Sequence, residues 1–270
     1  MTRAAPRIGI FLLIAIWALP LLWMLIASVT PESRLFGGAP AMPGAFVLDH
    51  YRALFAERAF WRPVRNSLIV AATTTVFAVA IGVWAAYALA RLRFRGRAVT
   101  LSAVLAVSTF PQISIVSPLY LLLRRAGLID TYPGLVLPYL TFALPLAVWL
   151  LTGFFRQLPG ELEDAARMDG ASRLRAAVEV TLPLAAPAIA TTAILTFLYA
   201  WNEFLFALSF TLGPERQTVP VAIALFRGQY QVPWGQILAA AVVASLPVAI
   251  IVLAFQRRIV KGLTAGAVKG

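Results

Sequence analysis

Long uncharged apolar stretches, each closed by ionisable residues, set the pattern of this chain. A bilayer core needs about 20 apolar residues in a helix. Six stretches meet that need, approximately at 8–29, 66–90, 98–123, 133–155, 188–210 and 236–256. Pro183 and Pro187 place the start of regular helix in the fifth near residue 188. The first stretch follows Arg3 and Arg7, as a signal peptide would. Its apolar run exceeds the roughly 7–15 residues of such a segment, and no small-x-small site follows promptly. The expected fold is an all-α integral membrane protein, one domain over 1–270, with six transmembrane helices and both termini on one side.

The connections differ in character. The segment 32–65 is rich in Pro and Gly early, then places Leu48, Tyr51, Leu54 and Phe55 at helical spacing. With Trp61 nearby, this fits a short helix lying at the outer interface, or equally a solvated surface helix. The segment 157–183 reads QLPGELEDAARMDGASRLRAAVEVTLP. Pro159 and Gly160 break the preceding helix, and Glu161, Glu163 and Asp164 load the first turn of a new one, where carboxylates complement the helix dipole. Gly170 is placed to end it, Ser172 to cap a second short helix running to about Val180, and Pro183 to stop that one. Ala165 and Ala166 are small enough for such a helix to sit deep in a partner's groove. A helical loop capping the chain's own bundle is the competing reading of the same pattern.

Composition agrees with the span pattern. Hydrophobic residues make up 61% of the 270 residues and charged ones 13%, against about 45–50% and 25% in soluble domains. That leaves too little polar surface for a soluble body of this size. The net charge of +12 invites a nucleic-acid reading, but the basic residues sit at the ends of apolar stretches and gather only at Arg91, Arg93, Arg95 and Arg97. Such arginines orient a membrane chain and meet lipid headgroups, so nucleic acid is not an expected partner. With the N-terminus inside, 14 of the 23 basic residues fall on cytoplasmic segments. Arg124 and Arg125 go against this bias, which still favours cytoplasmic termini.

What the chain lacks narrows its chemistry. It has no cysteine and one histidine, His50, so thiolate and histidine-rich metal sites are excluded and a Ser-His-Asp triad is not expected. Its two lysines, Lys261 and Lys269, each follow a valine and cannot complete the G-K-[ST] of a phosphate-binding loop. No cofactor or metal is expected on this chain; ATP and magnesium, if used, belong to partner subunits.

The loop carries a resemblance. Asp164-Ala165-Ala166, three residues, Gly170, nine residues, then Val180-Thr181-Leu182-Pro183 resembles the EAA loop of permease subunits in bacterial ABC importers, with Asp164 for glutamate and Val180 for isoleucine. Asn66-Ser67-Leu68, Ala200-Trp201-Asn202-Glu203-Phe204 and the ending from Gly262 to Gly270 are similar to carbohydrate-uptake permeases, most of all the second permease subunit of maltose- and trehalose-type importers. The resemblance implies a type I importer fold in a bacterial or archaeal cell membrane. It implies as partners a second permease subunit, two ATP-binding subunits and an extracytoplasmic sugar-binding protein. A sugar, such as maltose or trehalose, would be the substrate. Glu163, Asp164, Ala165, Ala166, Met168, Asp169, Gly170 and Pro183 would then couple to an ATP-binding subunit. The cytoplasmic tail 257–270, through Gly262, Thr264, Gly266 and Lys269, would reach the ATP-binding pair; by its own composition the part 262–270 is expected to be flexible.

Polar groups at membrane depth are the remaining candidates. Asn202 and Glu203 lie in the outer part of the fifth stretch, and Ser108, Thr109 and Gln112 flank Pro111 in the third. Such groups should face protein or water. They either line the sugar's path or pack and satisfy helices. The competing functions are a permease for a non-sugar solute, a secondary transporter, and a membrane enzyme. A secondary transporter wants ionisable residues in several spans, and only Glu203 qualifies. An enzyme would need a catalytic constellation that is missing.

Overall fold

The computed structural model describes residues 4–35, 46–226 and 232–265, with no side-chain detail at 4–8, 10, 11 and 257–265. Among the described residues every regular element is helical. In chain order these are α1 (Ala4–Ser28), α2 (Glu32–Leu35), α3 (Asp49–Ala56), α4 (Trp61–Arg91), α5 (Arg97–Thr109), α6 (Gln112–Arg125), α7 (Tyr132–Gln157), α8 (Glu161–Met168) and α9 (Arg173–Ala176). A π-helical turn (Ala177–Thr181) follows, then α10 (Leu182–Trp201), α11 (Leu205–Phe210), α12 (Val219–Ala224) and α13 (Trp234–Ala265).

Four helices are long and apolar enough to cross a bilayer: α4, α7, the continuous run Arg173–Trp201, and α13 over Trp234–Gln256. The chain is thus a multi-pass membrane protein. Helices α5 and α6, of 13 and 14 residues, are long enough for a crossing only together, and they meet at an angle of 92°. A sixth crossing requires α1, whose apolar part Leu12–Ser28 lies largely exposed, with Trp17 76% exposed.

The bundle is built on α4, α7 and α10, each packed on the other two. Small residues permit the approach. Ala78, Ala143 and Ala147 are fully buried between α4 and α7, and a Cβ added at Gly82 would stand 3.1 Å from that of Ala147. Close backbone contact of this kind favours helix pairs in lipid, where apolar burial no longer drives association. Toward one end lies a large aromatic and aliphatic cluster including Phe60, Tyr139, Phe206 and Phe210. Toward the other, Val83, Tyr87, Leu151, Phe155 and Ala177 form a smaller one. Helix α1 packs on α13 at the side of the bundle.

Several boundaries differ from the sequence expectation. Helix α4 starts at Trp61, not 66, because Pro63 falls in its first turn, where a missing N–H costs nothing. The four apolar residues at and just before α3 do not share a fate: Leu54 is buried in the core and Tyr51 packs against it, while Leu48, ahead of the helix, and Phe55 stay exposed. The expected span 188–210 instead begins at Arg173, ends at Trp201, and resumes after a break as α11. The apolar span of α13 covers Trp234–Gln256, but the helix does not stop there. Its helix continues to Ala265, so the part of the expected flexible tail up to there, Gly262 and Thr264 included, is helical. Gly266 and Lys269 lie outside the described residues.

Asn66, in the tripeptide noted above, is fully buried for a structural reason. Its amide donates to the carbonyls of Glu215 (2.8 Å) and Gln217 (3.0 Å), and its oxygen accepts from the Tyr132 hydroxyl (2.7 Å). Ser67 accepts from the Val219 N–H at 2.8 Å. Two adjacent side chains thereby pin the loop before α12 to the start of α4.

Candidate functional site

The segment between α7 and α10 is built by local backbone chemistry. After the last turn of α7, Leu158 is extended, as the residue before a proline should be. Helix α8 follows with Glu161, Glu163 and Asp164 in its first turn. Gly170 has φ +89°, and its N–H donates to the Arg167 carbonyl (3.1 Å) while that of Ala171 donates to the Ala166 carbonyl (3.0 Å). This pair of bonds is a Schellman closure, which needs a left-handed residue at that position. Ser172 then caps α9, its hydroxyl accepting from the Arg175 N–H at 3.2 Å.

Pro183 does not stop the second helix, contrary to the sequence expectation. Proline in a helix removes an N–H and crowds the carbonyl four residues back. The π-helical turn Ala177–Thr181 ends two residues before it, and its wider winding lets the helix run through to Trp201. Pro183 is exposed at the first turn of α10. The projecting element is therefore α8 alone, and α9 is the first turn of a crossing.

Helix α8 has two unlike sides. Asp164, Ala165, Met168 and Asp169 are exposed, Met168 at 88%, and Leu162 joins them. Leu162, Ala165 and Met168 make an exposed apolar strip at i, i+3 and i+6. Leu162 escaped the sequence reading; its spacing with Met168 was the available signal. Ala166 is half-buried, and Glu163 faces inward. The Glu163 carboxylate accepts from the Tyr87 hydroxyl (2.5 Å) and the Thr181 hydroxyl (3.2 Å), and lies 3.8 Å from Nε of Arg91. Of the eight residues expected to couple outward, Glu163 is turned the other way.

The polar candidates at membrane depth converge in part. The chain breaks at Phe110–Pro111, and Gln112 begins α6 with its amide donating to the Tyr199 hydroxyl at 2.8 Å. Two adjoining hollows of about 790 and 360 Å³ share Gln112, Leu146, Trp149 and Tyr199. Asn202 and Glu203 line the first, Ser108 the second. Thr109 lines neither; its hydroxyl donates back to the Ala106 carbonyl at 2.8 Å. Trp149 and Tyr199 were not singled out from the sequence, since an aromatic in a span usually packs or anchors.

Glu203 sits in the break between α10 and α11, not within a helix. It is 6% exposed, and its two oxygens accept the N–H groups of Phe206 (2.8 Å) and Ala207 (3.1 Å). A carboxyl group at this depth is tolerable because it satisfies two N–H groups at the start of α11. Asn202 is exposed, its amide donating to the Leu198 carbonyl at 2.7 Å. Among the described residues no group of three or more His, Asp or Glu side chains could hold a metal ion.

Comparison with known proteins adds the family. Residues 78–265 match the model described as binding-protein-dependent transport system inner membrane component. The chain is 48% identical over 254 residues to the trehalose transport system permease protein SugB of Mycobacterium tuberculosis, covering 93% of this chain and 92% of that one. It is 42% identical over 273 residues to the trehalose/maltose transport system permease protein MalG of Thermococcus litoralis, covering 100% and 98%. A crystal structure of a bacterial ABC transporter involved in the import of the acidic polysaccharide alginate aligns over 95% of this chain and 98% of its own, with a TM-score of 0.76. At 24% identity that likeness is one of fold.

Proposed function

The chain belongs to the family of binding-protein-dependent transport system inner membrane components, and from that premise we propose that it is a permease subunit of an ATP-driven sugar importer. It is a transporter component and not itself an enzyme. It forms, with a second permease, the path for a di- or oligosaccharide such as trehalose or maltose. Two ATP-binding subunits carry the ATP and magnesium, and an extracytoplasmic binding protein delivers the sugar. Six crossings, counting α1 and the bent α5–α6 pair, place both termini in the cytoplasm of a bacterial or archaeal cell. Helix α8 docks in an ATP-binding subunit through Leu162, Asp164, Ala165 and Met168, and the tail from Gly262 through Thr264, Gly266 and Lys269 reaches the same pair.

One observation carries the coupling part of this reading. An eight-residue helix holds its largest apolar side chain, Met168, 88% exposed, on the side away from its own bundle. Isolated exposed apolar residues are ordinary, but a strip of three on a projecting helix fits a helix-in-groove contact. For the path, the hollows offer aromatic faces at Trp149 and Tyr199 and amides at Gln112 and Asn202, which suit a hydroxyl-rich ring. Proton or sodium coupling is disfavoured because the Glu203 carboxylate is committed to backbone N–H groups.

The test is labelled trehalose or maltose uptake into proteoliposomes holding the complete complex. Uptake is expected to require ATP inside and loaded binding protein outside, with no response to a proton or sodium gradient. Gradient-driven uptake by this chain without ATP-binding subunits would contradict the proposal.

A further inference from the structure

We propose that Glu163 is a positioning residue that locks the projecting helix α8 to α4 and to the π-helical turn, so that a push received at Ala165 and Met168 is passed to the crossings. This rests on the docking reading above. It assigns Glu163 a task different from that of its neighbour Asp164.

The reasoning begins with what holds α8 in place. Helices shorter than about 12 residues are marginal in water without tertiary support. Helix α8 has eight residues, none of them buried, and its apolar strip faces outward. Apolar packing therefore contributes little to its placement. Glu163, with its side chain 13% exposed, supplies the link instead. One oxygen accepts a hydrogen bond from the Tyr87 hydroxyl at 2.5 Å, the other from the Thr181 hydroxyl at 3.2 Å. Hydrogen bonds to an ionised acceptor are roughly twice as strong as neutral ones. Arg91 approaches the second oxygen at 3.8 Å, a charge contact beyond hydrogen-bond range, and its guanidinium donates to the Leu158 carbonyl at 2.9 Å. One carboxylate thus joins α8 to the inner end of α4 and to the π turn, while Arg91 adds the end of α7.

Each attachment lies where motion can be transmitted. Helix α4 has 31 residues, about 46 Å at helical rise, against a hydrocarbon core of about 30 Å. Tyr87 and Arg91 lie in its last two turns. The Tyr87 ring meets Phe155 of α7 edge-on at 6.3 Å, so the hydroxyl is held by a packed ring. Thr181 closes the π turn, the point where the helix of the following crossing departs from α winding, and such turns mark functional adjustments in helices. Asp164 shows none of this. Among the described residues it pairs with Arg167 on the same helix at 3.6 Å, and its side chain is 75% exposed, free to meet a partner. Adjacent helical positions point about 100° apart, so one acid faces out and the next faces in.

The experiment uses the assembled complex in proteoliposomes and reads three quantities: co-purification of the ATP-binding subunits, ATP hydrolysis driven by loaded binding protein, and sugar moved per ATP. Glu163→Ala is expected to keep the complex together and to lower sugar moved per ATP by about tenfold, a coupling loss within the usual range. Tyr87→Phe should lower it less, and should add nothing when combined with Glu163→Ala, because both remove one link. Glu163→Gln keeps an acceptor for the Tyr87 hydroxyl and should recover part of the loss. Unchanged sugar per ATP in Glu163→Ala overturns the proposal, as does independent multiplication of the two single effects. Ala165→Trp serves as the control for docking. If it abolishes uptake while Glu163→Ala leaves sugar per ATP intact, the positioning role alone falls. If Ala165→Trp is harmless, the docking reading falls and takes this one with it.

Discussion

Gly170→Val is expected to abolish sugar uptake while leaving the chain inserted in the membrane. The residue sits at φ +89° in the closure of α8, and a Cβ there meets no atom within 4 Å. The penalty is thus in the backbone and not in packing. A β-branched residue in the left-handed region costs on the order of 2 kcal/mol, a factor of roughly 30 in the population of the native turn. The turn sets the angle at which α8 leaves α9, so its loss displaces Ala165 and Met168 from their docking position. The crossings keep their own packing, since no buried residue is altered. Uptake in proteoliposomes and the amount of chain in the membrane check both halves. Normal uptake at normal expression would mean that the turn does not set the docking.

The second expected result concerns the hollows beside the bent helix pair. Trp149 is 51% exposed, and it and Tyr199 line both hollows together with Gln112. An aromatic face presented to a sugar ring is worth about 1 kcal/mol, close to the value for aromatic pairs. Trp149→Ala should therefore slow sugar transport about fivefold at saturating loaded binding protein, while ATP hydrolysis falls less. Glu203→Gln is expected to act differently. Its carboxylate holds two backbone N–H groups at the start of α11, so the variant loses protein from the membrane before it loses transport per molecule. Equal losses of uptake and hydrolysis in Trp149→Ala would place that ring outside the path.

The loop was the most legible part of the sequence, because its signals act within a few residues. Pro159, the acidic first turn, Gly170 and Ser172 each state a backbone requirement, and the chain meets each of them at that position. Glu163 could not be read in this way. Its inward turn depends on Tyr87, 76 positions away, and on a π turn that no local pattern announces. Pro183 misled for the same reason: proline signals a stop only where the helix before it is regular. Apolar runs marked the bundle's crossings but not their ends, since α4 begins before its apolar run and α13 outlasts its own. The break at Phe110–Pro111 was visible as a proline among polar residues, though not its 92° bend. Asn66 stood out only through the likeness of Asn66-Ser67-Leu68 to carbohydrate-uptake permeases, and its role as a clamp on residues about 150 positions away needed the fold.

The central claim is that α8 docks on an ATP-binding subunit. The chain contains no cysteine, so single cysteines give an unambiguous cross-linking readout. Met168→Cys, on the exposed strip, and Leu212→Cys, 72% exposed just after α11, would each be treated with a short bifunctional reagent in the intact complex. The predicted result is that Met168→Cys joins this chain to an ATP-binding subunit, with a yield that changes when ATP is trapped, and that Leu212→Cys does not. An intact complex in which Met168→Cys yields no such product, or in which Leu212→Cys yields it instead, would contradict the account.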